Sequence, residues 1–286
     1  GNFVFEGRIT LKEASEKTNI SYRHAKRLKK NFAEKGAKGL IHGNRGECSS
    51  KAMPEEIKEE ILELSKGKYK NFNDTHFTEK LIEEEKIITN RETVRRLRRS
   101  NSIEPKRKRR QKKHYKRRER RAQEGLMILW DGSLHKWFDR DEHKCCLMSA
   151  VDDATGQILD AFFIKFEGSF GYLKLLKSIV LKKGIPLAIY QDQHSSLKRN
   201  DSHWTLEEQL ANRQTPTHVG IALYELGIEP IFALTPQAKG RVERLFGVLQ
   251  DRLIAELELY GIKTKEEGNK FLQDSFIKDY NKRFAL

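Results

Sequence analysis

Gln237-Ala238-Lys239-Gly240-Arg241-Val242-Glu243-Arg244-Leu245-Phe246-Gly247-Val248-Leu249-Gln250-Asp251-Arg252-Leu253 reads as one helix opening after Thr235-Pro236. Leu245, Leu249, Leu253 and Leu257 recur every fourth residue and draw an apolar stripe down one side. One acid, Glu243, stands in the first turn among Lys239, Arg241 and Arg244, beside Gly240. Taken alone it has an ordinary explanation, as a favourable charge near a helix N-terminus or a partner for its arginine neighbours. Two upstream runs change its meaning. Leu126-Met127-Ile128-Leu129-Trp130-Asp131-Gly132 and Leu187-Ala188-Ile189-Tyr190-Gln191-Asp192 are short apolar runs that arrive at an aspartate. Each reads as a buried strand with the Asp where the chain leaves the core, although Asp also stops strands for purely local reasons. With Glu243 on a following helix, three carboxylates could converge on one sheet edge. Hard divalent cations such as Mg²⁺ take oxygen ligands of this kind, and a pair of them can clamp an in-line phosphoryl displacement.

The words Trp130-Asp131-Gly132-Ser133-Leu134-His135-Lys136-Trp137-Phe138, Asp192-Gln193-His194-Ser195 and Pro236-Gln237-Ala238-Lys239-Gly240-Arg241-Val242-Glu243-Arg244 resemble those of DDE-type insertion-sequence transposases. These have a retroviral-integrase-like catalytic core, and the ISNCY group is the most similar. The last word is the most specific, and the resemblance runs over most of the chain. It implies an α/β fold: a ribonuclease H-like core with a five-stranded mixed sheet, preceded by all-α helix-turn-helix modules. It implies that Asp131, Asp192 and Glu243 are the catalytic and metal-binding triad, holding two Mg²⁺ or Mn²⁺ ions. Asp131 is then the bridging ligand, with Asp192 completing one ion and Glu243 the other. Sixty residues lie between Asp131 and Asp192 and fifty between Asp192 and Glu243. The second interval is longer than is usual in the integrase relatives, so Lys198 to Pro216 is expected to form an inserted polar loop or short helix. Family members usually continue past Leu286 into a small β-rich DNA-binding domain, so the chain is expected to be truncated at its C-terminus.

Composition agrees with a polyanionic partner. The net charge is +15 over 286 residues, and Pro105 to Arg121 alone holds twelve Lys or Arg against one Glu. No apolar run reaches the ~20 residues of a membrane span and no signal peptide is visible, so a soluble intracellular protein is expected, and the resemblance implies a bacterial cytoplasmic one associated with the nucleoid. Cys48, Cys145 and Cys146 build no disulfide framework. A zinc site from His135, His143, Cys145 and Cys146 is a poor reading, because adjacent strand residues face opposite ways and no Cys-x-x-Cys spacing exists.

Four segments follow. Residues 1–46 read as a helix-turn-helix module. Ile9 to Glu16 forms its first helix and Ser21 to Phe32 its second, which Ser21 can cap and Ala25, Leu28 and Phe32 bury. Tyr22, Arg23, Lys26 and Arg27 give that helix a face suited to the DNA major groove; a hairpin with a solvated basic face is the plainer alternative. Residues 47–104 read as a second, winged helix-turn-helix-like module. Pro54 opens a helix through Ile57, Ile61 and Leu64, and Phe77 to Glu85 makes a second. Thr89-Asn90-Arg91-Glu92 is a capping-box pattern before a third helix, on which Arg91, Arg95, Arg96, Arg98 and Arg99 are the DNA-facing candidates. Residues 105–122, with Lys106, Arg107, Lys108, Arg109 and Arg110, are either a solvated linker or a phosphate-tracking arm, and their position favours the arm.

Residues 123–286 make the catalytic part. Three antiparallel strands are expected through Asp131, through His143 to Val151, and through Ile158 to Phe166, with Asp153-Ala154-Thr155-Gly156 as a hairpin turn that also accounts for Asp152. Helices from Ser169 to Lys183 and Thr217 to Leu226 then flank the Asp192 strand and a strand at Ile228 to Leu234. Lys239, Arg241 and Arg244 are candidate contacts to the DNA backbone, or solvated helix charges. His194 is a candidate contact or a plain loop histidine. The expected partners are double-stranded DNA, both element terminal repeats and target, and further copies of this chain on paired ends. The implied reaction is strand cleavage at an element end followed by attack of the freed 3′-OH on target DNA. A non-catalytic regulator derived from a transposase and a nuclease of the same fold are the alternatives.

Overall fold

The computed structural model describes residues 4, 7–41, 45, 52–106, 118–138, 144–199, 201–212, 214–233 and 240–286. They form two compact units, Gly1–Lys58 and Glu59–Leu286. In the first, α1 (Leu11–Lys17) opens on a capping box in which Thr10 and Glu13 satisfy each other's backbone N–H. Asn19, at φ 53°, turns the chain into α2 (Tyr22–Lys35), whose N-cap Ser21 accepts from the His24 N–H as its sequence suggests. Ala25 is buried, and with Leu11, Ala14, Leu28, Phe32 and Leu40 it lines the apolar cleft of this unit.

Helix α3 (Glu55–Lys66) spans the boundary between the units. It is followed by α4 (Asp74–Glu83) and α5 (Arg91–Ser100), capped by Asn73 and Asn90. Ile61, Tyr69, Phe72, Phe77, Leu81 and Val94 form their core. Two expectations are corrected here. The cap of α5 is Asn90, not Thr89, so Glu92 is in the first turn and pairs with Arg95 and Arg96 instead of closing a capping box. No wing is present among residues 52–106, where no strand is found; α5 ends at Asn101 and Ser102 (φ 60°) and leads straight toward the basic run.

The rest of the second unit is built on one sheet: β1 (Ile128–His135), β2 (Cys145–Asp152), β3 (Ile158–Ile164), β4 (Ala188–Gln191) and β5 (Glu229–Phe232). The order is β3-β2-β1-β4-β5, with β1 to β3 antiparallel and β4 and β5 parallel to β1. This is the mixed five-stranded arrangement of a ribonuclease H-like core. Alternation along β1 assigns its two faces. Ile128 and Trp130 pack with α6 (Ser169–Lys183) and α8 (His218–Glu225), through Tyr172, Leu175 and Leu223. Leu129 packs on the other face with α9 (Gly240–Leu259), through Val242, Leu245, Leu249 and Leu253. The inserted interval holds the short helix α7 (Leu206–Leu210), fixed by a capping box and by Arg199 bonding to Glu208 and Asp201. Helices α10 (Lys265–Phe271) and α11 (Ile277–Phe284) complete the α9 face, where Leu272 and Phe276 are buried between them.

Within this unit the helices of residues 59–104 dock on α9 through polar side chains. Asn71 bonds to Glu258 and Asn73 to Asp251. The His76 Nε2 lies 2.7 Å from Glu256, and Arg252 holds Glu79 through two bonds of 2.6 and 2.9 Å. Cys145 and Cys146 are buried in the opposite faces of the sheet. No helix among the described residues is long and apolar enough to cross a membrane.

Candidate functional site

The parallel pairing of β1 and β4 aligns Ile128 with Ile189 and Leu129 with Tyr190. Asp131 lies two residues beyond Leu129, and Asp192 two residues beyond Tyr190. Side chains two apart share a face, so Asp131 belongs to the α9 side, and Asp192, directly after the end of β4, follows Tyr190 to that same side, where the two strands run ~4.8 Å apart. The strand termini are tied together beneath them: Trp130 Nε1 donates to Gln191 Oε1 at 2.9 Å in the core, and the Ala233 N–H donates to the Gln191 carbonyl at 2.8 Å. The Asp131 carboxylate takes the Gly132 N–H at 3.0 Å and that of Asp192 takes the His194 N–H at 2.9 Å. Both aspartates also act on Tyr172. Its hydroxyl is pushed up first by burial, then by the charges of Glu167, Asp131 and Asp192.

Glu243 is exposed in the first turn of α9, between buried Val242 and Leu245. Gln250, seven residues on and therefore on the same flank of the helix, reaches Ser133 Oγ of β1 at 3.4 Å. Arg241 points from the other flank and pairs with Asp153 at the β2–β3 turn. Glu243 thus stands on the flank that faces β1, the strand carrying Asp131. Among the described residues, no group of three or more His, Cys, Asp or Glu is close enough to hold a metal ion. The donor chemistry does fit a hard divalent ion: one carboxylate from the middle of β1, one from the residue after β4 and one from the facing helix.

Glu167 escaped the sequence reading. Its carboxylate accepts from Tyr172 Oη at 2.6 Å, and it presses so closely on Gly132 that a Cβ there would sit 2.7 Å from Glu167 Cδ. The signal was the glycine directly after Asp131. Burial, then Glu167, also pushes the neighbouring Cys146 thiol up to about 12.

The remaining candidates separate into groups. Tyr22, Arg23, Lys26 and Arg27 share α2, where Lys26 lies over the Tyr22 ring and Arg27 bonds to His24. Arg91, Arg95, Lys106 and Arg244 line one groove of about 660 Å³ between α5 and α9, and Arg96 stands exposed beside Glu92. Arg98 and Arg99 are not DNA-facing. Arg98 is 3% exposed and bonds to Asp74 and the Phe72 carbonyl; Arg99 bonds to Asp74 and the Ile103 carbonyl. Burial of the α4–α5 contact needs cations opposite Asp74, and these two supply them. Arg107, Lys108, Arg109, Arg110 and Lys239 lie outside the described residues.

No family model matches the chain. It is 34% identical over 283 residues to the transposase y4bF of Sinorhizobium fredii, a match covering 99% of this chain and 60% of that protein. It is 35% identical over 316 residues to the transposase for insertion sequence IS1202 of Streptococcus pneumoniae, covering 99% of this chain and 66% of that protein. The chain therefore spans less than two thirds of the length of the first of these curated relatives and 66% of the second. Solved structures resemble it remotely. The HTLV-2 integrase catalytic core domain in complex with magnesium matches with a TM-score of 0.35 and 18% identity, over 51% of this chain and 82% of that one. A simian T-cell lymphotropic virus intasome in complex with PP2A regulatory subunit B56 gamma matches with a TM-score of 0.39 and 16% identity, over 74% of this chain and 66% of that one. With a third of its residues shared along nearly its whole length with two transposases, the chain belongs to the insertion-sequence transposase family.

Proposed function

We propose that the chain is the DNA-cleaving and DNA-joining part of a DDE transposase, a polynucleotidyl transferase dependent on Mg²⁺ or Mn²⁺. The observation that carries this reading is that Asp131 of β1 and Asp192, the residue directly after β4, each follow the Leu129–Tyr190 register pair by two residues, in a chain of transposase sequence. Asp131, Asp192 and Glu243 are the proposed catalytic residues and metal ligands. Bound divalent ions supply the positive charge that activates the attacking oxygen and stabilises the leaving one. The chain's own part is to hold the carboxylates on a rigid frame. One stands on β1 and one directly after β4, two strands joined by the Trp130–Gln191 bond, and the third on a helix anchored by four buried leucines.

DNA binding is assigned to separate surfaces. Residues 1–46 and 47–104 are the proposed reading modules, 105–122 the basic arm and 123–286 the catalytic part. Arg91, Arg95, Lys106 and Arg244 make their groove electropositive next to the Glu243 turn, which suits a phosphate backbone led toward that residue. The substrates are the terminal repeats and target DNA, acted on by paired copies of the chain in the bacterial cytoplasm, on the nucleoid.

The test uses labelled DNA bearing an element end from the flanking genome, incubated in Mg²⁺ or Mn²⁺ with wild type or Glu243→Gln. Cleavage and joining by the wild type, both lost in the variant, support the reading. Cleavage without joining points to a nuclease, and specific binding without chemistry to a regulator.

A further inference from the structure

Asp152 and Asp153 sit together where β2 meets its turn, and both were expected to be turn residues. The structure divides their work. Asp152 closes the turn, accepting from Thr155 N at 2.8 Å, Thr155 Oγ1 at 3.0 Å and Gly125 N at 2.9 Å. The Asp153 side chain makes none of these bonds. Its carboxylate, on a residue only 1% exposed, takes Arg118 Nη2 at 2.6 Å and Nη1 at 3.1 Å, the Arg121 N–H at 2.8 Å, and Arg241 Nη1. Its own N–H donates to the Met127 carbonyl at 3.0 Å, which fixes it beside the start of β1. The ring closes on itself, since Arg241 Nη2 donates to the Arg118 carbonyl at 2.5 Å and the Arg118 guanidinium also covers the Tyr190 ring of β4.

A turn requires no such cluster. Burying a carboxylate is costly unless every lone pair is met, and here the donors come from the end of the basic run and the first turn of α9. Burial pushes the Asp153 carboxyl up, and the Arg118, Arg121 and Arg241 donors outweigh it and hold the group below the usual range. Arg241 is two residues from Glu243. The opening N–H groups of a helix have no partner within it, and ahead of buried Val242 it is Arg241 that ties this turn to the sheet edge. A fixed Arg241 sets both the height and the rotation of Glu243 about the helix axis.

We infer that Asp153 is a positioning residue for Glu243: through Arg241 and Arg118 it ties the end of the basic arm to the first turn of α9. The inference rests on the role proposed above for Glu243. It is tested in the full chain with Asp153→Asn, and with Arg241→Gln, which frees α9 while leaving Arg118 and Arg121 on Asp153. Cleavage of end DNA is measured against Mg²⁺ concentration, alongside DNA affinity and amide exchange. Both variants should raise the Mg²⁺ concentration for half-maximal cleavage by about tenfold, and Asp153→Asn, which removes no candidate DNA contact, should do so with DNA affinity within about twofold. Exchange should quicken at 241–246 and not at 249–259. A variant that melts earlier yet keeps the wild-type Mg²⁺ midpoint overturns the inference, as does unchanged or uniformly raised exchange along α9. If wild-type protein cuts no DNA, the proposed function fails and the exchange experiment alone decides the role of Asp153; should Asp153→Asn not fold, Arg241→Gln decides it.

Discussion

Asp131, inside β1, and Asp192, the first residue after β4, each lie two residues past the Leu129–Tyr190 register pair of these parallel strands. The β1–β4 register brings the two chains side by side, and the bond from the His194 N–H holds Asp192 just beyond it. An Asn at either position keeps the shape and removes the anionic oxygen that a hard cation needs. Asp131→Asn and Asp192→Asn should each lower metal-dependent cleavage by at least about a hundredfold, since even groups that only orient a ligand cost 10- to 100-fold when lost. DNA affinity should stay near wild type, because the candidate binding arginines lie elsewhere. A gel assay of cleavage beside a binding titration checks this, and a variant that cuts normally removes its residue from the site.

Gly132 gives a prediction about packing next to that pair. A methyl group there would meet Glu167 Cδ at 2.7 Å and Cys146 Sγ at 2.9 Å. The Glu167 side chain could swing away only by giving up its bond from Tyr172, and Cys146 is held in the adjacent strand. Gly132→Ala should therefore destabilise the protein by about 1–3 kcal/mol and reduce cleavage as well. Thermal melting that matches wild type would mean the approach of Glu167 to β1 is not as described.

Two arginines on α5 should separate stability from DNA binding. Arg98 is buried against Asp74 and the Phe72 carbonyl, so Arg98→Ala takes a donor from both, leaves Asp74 with Arg99 alone and should cost about 2 kcal/mol. Arg95 is half exposed and bonds to Glu92 in its own helix. Arg95→Ala should leave the melting temperature nearly unchanged, weaken DNA binding, and reduce the salt dependence by about one counterion. Equal effects of the two substitutions on melting would contradict the division.

That division also marks where the sequence stops being informative. The strands of Asp131 and Asp192 are legible because sheets covered on both faces need continuous apolar runs, and the Glu243 helix because leucines repeat along it. The interval after Asp192 is long enough to announce the insert that α7 occupies. Arg98 was not legible: it stands in a run of like residues, and only Asp74, far upstream, distinguishes it from Arg95. Docking of α4 on α9 was hidden for the same reason, since Glu79, Arg252, His76 and Glu256 are charged or polar residues that resemble solvated faces. Asp153 does lie in the expected turn, but its arginine partners were hidden, because a turn by itself accounts for an aspartate.

The His76 contact makes the docking of α4 on α9 sensitive to acid. His76 Nε2 meets Glu256 Oε1 at 2.7 Å, and Glu256 Oε2 meets Lys80 Nζ at 3.0 Å, with Glu79, Glu84, Arg252 and Tyr260 around them. Burial lowers the proton affinity of His76 below its ordinary 6.5, more than Glu256 raises it. The folded state thus binds this proton less readily than the unfolded chain does. Its stabilising contribution is complete above about 6.5 and is lost as pH falls below that value toward the folded-state pKa. Glu256 is likewise held below the usual carboxylate range, first against burial and then by His76 and Lys80, so its share survives until pH drops below about 4.5. Both changes have the same sign. Wild-type protein should melt progressively earlier as pH is lowered from about 7.5 to 5.5, the range in which histidine titrates. His76→Gln keeps a donor for Glu256 and removes the titrating ring, so its melting temperature should fall less over that range. If the two proteins lose stability in parallel, the sensitivity belongs to another group and His76 does not report on the docking of the module.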